Sequence, residues 1–258
     1  RMYRIDQNEP SEEFQTAWKA ARIHIQNQCV EGIYWIRARL EGPLIEHLSF
    51  RIGNQLFFVF VEAAEFSLSD FSSAFLDYSC HANAIPCVFS MTKRFGVYHP
   101  VKSGWGLVHA RTKRQIDPIQ LVSDELIEIS NWELQDFSVN LVRSKLEAEG
   151  KFVYSTCSDP ELHPSLWFVE AEKHYWVVVK GRRYPSSRVE SKETLSKIAA
   201  SIATTESSGY LAYVTVANSD DPFDYDAEQN GNFLPLYRGH GMVTKYNGLE
   251  TFPTRKNK

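Results

Sequence analysis

Two stretches of this chain spell nearly the same apolar pattern, and that repetition limits the fold more than any other feature. Residues 166–181 read LWFVEAEKHYWVVVKG, and residues 48–62 read LSFRIGNQLFFVFVE. Laid side by side without a gap, at a spacing of 118 residues, Leu48 falls on Leu166, Phe50 on Phe168 and Phe57 on Tyr175. Phe58 then falls on Trp176, Val59 on Val177 and Val61 on Val179, while Glu31-Gly32 meets Glu149-Gly150 and Tyr34 meets Phe152. The pattern predicts a tandem duplication, with one α+β unit over 1–117 and a second over 118–258. Each half alone is near the size at which a core becomes marginal. The expectation is therefore two sheets with helices, packed as an internal pseudo-dimer within a monomer.

Local signals give each half the same order: helix, three strands, helix, two strands. Ser11 caps a first helix with Glu12 and Glu13 in its opening turn, and Phe14, Ala17, Trp18, Ala21 and Ile25 recur at helical spacing. Strands follow at 33–39, 46–52 and 55–62, the last two joined by the tight-turn pair Gly53-Asn54. Ser69-Asp70 caps a short helix carrying Phe71, Phe75 and Leu76, and Ala84–Met91 reads as a buried strand. A loop with His99-Pro100 then leads to a fifth strand at 104–109. In the second half Ser130 and Glu133 form a capping box, and strands are expected at 151–156, 166–170 and 174–180. A helix at 192–205 and a strand at 210–217 follow, the latter answering 84–91. Gly239-His-Gly-Met-Val then answers Gly104-Trp-Gly-Leu-Val, and 250–258 reads as a frayed tail. The large asymmetry is the acidic insertion 218–232, NSDDPFDYDAEQNGN.

Composition narrows the class. A formal net charge of −4 argues against a nucleic-acid binder, which carries a basic face. Cys29, Cys80, Cys87 and Cys157 show no CxxC spacing and are expected to be reduced thiols in a cytoplasmic protein. No stretch has the roughly 18 apolar residues of a membrane span, and RMYRIDQNEPSEE lacks the apolar core of a signal peptide.

The order helix–three strands–helix–strand resembles the metal-dependent nuclease core of the restriction-endonuclease type. That resemblance implies an acid on the second strand and an acid-x-Lys on the third, which together position Mg²⁺ and a water. The third strands here read FFVFVE and YWVVVKG, with Glu170 and Lys180 as the nearest approach to that pattern. With a fifth strand, the order also resembles the type III secretion chaperones, which are not enzymes and hold partner segments against their sheets and helices. Arg238-Gly239-His240-Gly241 looks like the phosphate-cradling turn of acetyltransferases. The long helix that turn requires is barred here by Asn247-Gly248 and Pro253, so a glycine-permitted bend is the expectation.

Two charged surfaces complete the candidates. Lys180, Arg182, Arg183 and Arg188 form a basic cluster beside Tyr184, suited to a phosphate or an acidic protein. Asp220, Asp221, Asp224, Asp226 and Glu228 form an acidic loop suited to a basic partner, without the spacing of a calcium loop. No complete catalytic set and no metal or cofactor motif is present, and Cys80-His81 with Cys87 is poorly spaced for zinc. The expectation is a non-enzymatic, adaptor-like or chaperone-like module with a protein partner. The alternatives are a metal-dependent nuclease or other phosphoryl-acting enzyme using Glu170 and Lys180, and a small-ligand sensor binding between the halves.

Overall fold

A computed structural model of the chain describes residues 11–29, 31–40, 47–64, 71–186, 189–202, 208–223, 229–231 and 233–252. The described residues form two units that part between Ile127 and Glu128. Both are α+β, each with one mixed sheet and two helices among the described residues. No described helix is long and apolar enough to cross a membrane.

The first unit begins with α1 (Glu12–Gln28), whose first turn is held by Ser11 Oγ accepting the Phe14 amide at 3.2 Å. Its buried side chains are the five that the helical spacing picks out: Phe14, Ala17, Trp18, Ala21 and Ile25. The remaining elements are β1 (Ile33–Arg37), β2 (His47–Ile52), β3 (Gln55–Ala63), α2 (Phe71–His81), β4 (Ile85–Arg94), β5 (Val97–Pro100), β6 (Leu107–His109) and β7 (Gln115–Ile116). The sheet runs β1-β2-β3-β4-β6-β7, with β5 also paired to β4. The pair β3–β4 is parallel and the others are antiparallel. Period-two alternation sends Phe57, Val59 and Val61 toward α1, in a core with Phe50, Phe89 and Leu107. It sends Phe58 and Phe60 the other way, against Tyr78 and Phe75 of α2.

Residues 118–127 lie with this first unit because the β2–β3 turn grips them. Asn54 Nδ2 donates to the Glu125 carbonyl at 2.8 Å and to Ser123 Oγ at 3.1 Å, and its Oδ1 accepts the Ser123 amide at 3.2 Å. The caps expected at Ser69 and Asp70 lie outside the described residues.

The second unit starts at α3 (Asn131–Ala148), opened by the capping box that Ser130 and Glu133 spell. It continues through β8 (Phe152–Thr156), β9 (Leu166–Glu170), β10 (Lys173–Arg183), α4 (Lys192–Ile202), β11 (Ser208–Asn218), β12 (Met242–Tyr246) and β13 (Glu250–Thr251). The sheet order is β12-β11-β10-β9-β8, with β13 beside β11, and β10–β11 is the parallel pair. One face packs Leu166, Phe168, Val177 and Val179 under α3. The opposite face packs Trp167, Trp176, Val178 and Leu211 under α4. Phe252 belongs to that second core, its ring 5.0 Å from Trp176, so the segment expected to fray from residue 250 is anchored at least this far.

The two sheets agree in detail, as expected of a duplicated unit. Phe50 pairs with Phe57 where Phe168 pairs with Tyr175. The β1–β2 ladder slips between Trp35 and Arg37, and the β8–β9 ladder slips between Val153 and Ser155, the positions that the 118-residue spacing equates. Beyond α2 and α4 the correspondence moves. Phe57 pairs with Ile85 and Tyr175 pairs with Ser208, so Cys87 stands where Tyr210 stands.

Hence β5, opposite Met91–Arg94, has its counterpart in β12, opposite Val214–Ala217. The glycine echo is thereby corrected. Leu107 and Val108 pair with the first half of β4, whereas Met242 and Val243 pair with the far end of β11. His99 and Pro100, expected in a loop, are part of β5.

Candidate functional site

The hairpin that follows the central parallel pair differs most between the units. In the first, β4 and β5 meet through Phe95-Gly96 alone. Both residues have positive φ, +49° at Phe95 and +83° at Gly96. Such a turn suits Asn-Gly or Gly-Gly, because a bulky side chain is strained in the left-handed region. Phe95 nevertheless occupies it, and its residue is fully exposed (106%). Val97 and Val101 are exposed behind it, with Arg94 and Lys102 exposed at the flanks. Lys93 is fixed nearby, 2.9 Å from Glu13 and over the ring of Tyr98. The result is an apolar tip with a basic border.

In the second unit the same position holds residues 219–241, which include most of the acidic insertion. Its return limb folds back on the start of α3. The Ile129 amide donates to the Leu236 carbonyl at 2.9 Å, Leu236 enters the core, and Arg238 is 4% exposed. Arg238 Nε and Nη2 donate to the two carboxylate oxygens of Glu133 at 2.8 and 2.9 Å. Arg238 is thus an internal clamp, buried against the start of α3. Gly239 beside it has φ +83°, the bend read from the sequence.

Asp220 is exposed, and Asp221 accepts the Leu234 amide at 3.2 Å within the loop. Asp224, Asp226 and Arg188 lie outside the described residues. The loop meets the β10 exit through rings: Tyr184 lies 5.2 Å from Phe223, and the Lys245 ammonium lies 4.2 Å over Phe223.

The basic cluster of the sequence is two sites, because a strand alternates its faces. Gln135 sets the phase of β10, donating to the Val179 carbonyl at 2.8 Å and accepting the Gly181 amide at 3.1 Å. Gly181 permits this approach, since a Cβ there would stand 2.6 Å from Ser138 Oγ and 3.0 Å from the Leu134 carbonyl. Arg183 shares the α3 face and donates to Asn131 Oδ1 and to the Ile129 carbonyl, both at 2.5 Å.

Lys180 and Arg182 point to the α4 face. The Arg182 guanidinium stacks on Tyr213 of β11 with 3.4 Å to the ring centroid, and Tyr213 is the register partner of Lys180. Lys180 Nζ lies 3.5 Å from Nε2 of the buried His163. Burial, then the Lys180 charge, pushes the His163 ring down to about 3, while the Leu162 carbonyl pulls the other way. His163 is therefore neutral and can accept from the ammonium. Lys180 is itself lowered by burial, with Glu190 opposing.

The nuclease pair is not assembled. Glu170 is exposed at the β9–β10 turn, where it pairs with Lys173, and Lys180 lies toward the other end of β10. At the rise of an extended strand the separation along β10 is about 23 Å. Among the described residues no three His, Cys, Asp or Glu side chains are grouped to hold a metal ion. Cys87 is an inert thiol, its pKa raised by burial. Sequence reasoning missed Phe95 and Tyr213. The alternation of Trp176 and Val178 against Val177 and Val179 was the signal that could have separated Lys180 and Arg182 from Arg183.

Residues 132–252 match a family model described as Domain of unknown function (DUF8840). The match covers the second unit from α3 to Phe252 and leaves the first unit outside. No curated protein and no solved structure matches the chain.

Proposed function

We propose that this chain is a non-enzymatic protein-binding module, adaptor-like or chaperone-like, that engages its partner through the β4–β5 hairpin. The observation that carries the reading is Phe95: an aromatic ring, fully exposed, at a turn position where glycine or asparagine would fold better. Exposed aromatics at such points serve as anchors that enter a pocket on a partner. Val97 and Val101 extend the apolar contact, and Arg94 and Lys102 favour a pocket rimmed by carboxylates. The proposal places the protein in the cytoplasm as a monomer built from two copies of one ancestral unit, without nucleic acid or membrane as its target. The formal net charge of −4 supports the first exclusion. The nuclease alternative draws no support from the separated Glu170 and Lys180.

The test is affinity purification of tagged wild-type protein and of Phe95→Ser from the native cell extract, with mass spectrometry of what each retains. A stoichiometric protein held by the wild type and lost at least tenfold from Phe95→Ser supports the reading. Equal retention by both proteins, or retention of nucleic acid alone, would overturn it.

A further inference from the structure

We infer that Lys180, Arg182 and Tyr213 form a site in the second unit for a small tetrahedral oxyanion, a phosphoryl group. Three donors share the α4 face at the far end of the parallel pair β10–β11, the Arg182 guanidinium stacked on the Tyr213 ring. Lys180 and Arg182 stand two residues apart on one strand, and Tyr213 faces Lys180 from the next. Neither cation has a carboxylate within salt-bridge distance among the described residues. Two of the donors are also orphaned: Arg182 Nη2 and the Tyr213 hydroxyl are buried with no hydrogen-bond partner. Leaving such groups unsatisfied is costly, and natural structures rarely do so without a ligand or an ordered water.

The chemistry of the donors selects the ligand class. An ammonium, a guanidinium nitrogen and a phenol hydroxyl arriving from three side chains suit an acceptor with three or more oxygens. His163 accepts from Lys180 and so offers no second positive charge that would need neutralising. Binding of a dianion would offset the burial that now disfavours the charged ammonium. The site is independent of the hairpin in the first unit, so the failure of either proposal leaves the other standing.

The whole chain should be titrated with inorganic phosphate and separately with methyl phosphate, against sodium chloride at matched ionic strength. Calorimetry and thermal unfolding are the readouts. Saturable binding is expected, with a rise in Tm beyond that given by chloride. Tyr213→Phe removes only the orphaned hydroxyl, so it should fold as the wild type does and weaken phosphate binding at least tenfold. Lys180→Met should weaken it further. Tighter binding of methyl phosphate would identify an esterified ligand, and tighter binding of the free ion would identify phosphate itself, each supporting the site. No effect beyond chloride would mean that the donors hold water only, and undiminished binding by Tyr213→Phe would place the anion elsewhere. Either result overturns the inference.

Discussion

The β4–β5 and β11–β12 hairpins start from the same place in two sheets that share their register, yet they end differently. The first closes in two residues and thrusts Phe95 outward. The second runs through residues 219–241 and turns part of that length inward, so that Leu236 and Arg238 become interior. Below each tip the inner strand, β4 or β11, is held by ladders on both sides, where a slip of one residue would exchange the buried and exposed faces. The tip has no such constraint. The difference between the units therefore lies where the sheet cannot veto it, giving one unit a projecting ring and the other an internal strap.

The strongest way to break this comparison is to unclamp the strap. Arg238→Ala strands the buried Glu133 carboxylate and should lower stability by about 3–5 kcal/mol, measured by urea unfolding. A loss below about 1 kcal/mol would show that the return limb is an appendage. Trp176→Ala and Phe58→Ala probe what the units share. Both rings are buried in the cores facing α4 and α2, at matched strand positions, and each should cost about 3–5 kcal/mol. Their surroundings differ all the same. Trp176 pairs with Gly209, where an added Cβ would lie 2.1 Å from the indole, while Phe58 pairs with Pro86. Gly209→Ala should cost about 1–3 kcal/mol by overpacking, and most of that loss should vanish in a Trp176→Phe background.

Acid should separate the units too. His163 is neutral in the fold with its pKa pushed down to about 3, below the ordinary value of 6.5. Above pH 6.5 neither the folded nor the unfolded chain protonates it, so its contribution is constant. As pH falls from 6.5 toward 3 the unfolded chain takes up a proton that the fold refuses. Stability should decline by up to about 1.4 kcal/mol per pH unit from this residue. His163→Gln should flatten that part of the stability–pH curve. The smallest effect belongs to the first tip. Phe95→Asn relieves a left-handed strain and should raise stability by up to about 1 kcal/mol, while abolishing retention of the partner.

Much of this fold was legible because its signals are local. The Ser130–Glu133 box, the α1 stripe from Phe14 to Ile25 and the Gly53-Asn54 turn are each fixed by a few adjacent residues. The pairing of short edge strands was not legible. Residues 97–100 and 107–109 both pair along the same edge of β4, and 242–246 and 250–251 both pair along the same edge of β11. Which short segment takes which place is decided by loop length and packing, and repeated glycines do not report it. The candidate site failed in part for a simpler reason: Lys180, Arg182 and Arg183 are neighbours in sequence but face opposite sides of one strand. Arg238 looked available because nothing near it in sequence announces Glu133, which lies 105 residues earlier.

The matched ladder slips in β1 and β8 have a further consequence. Each of these strands ends its sheet among the described residues, and each carries an exposed aromatic residue, Tyr34 and Phe152. Flat aromatic edges of that kind invite unrelated chains to add strands without limit. A bulge bends and twists the strand that carries it, so a second straight strand cannot follow it for more than a few residues. The same irregularity in both units is expected to hinder fibre-like stacking, and deleting Ile36 or Tyr154 to straighten the ladder should raise aggregation, as measured by light scattering.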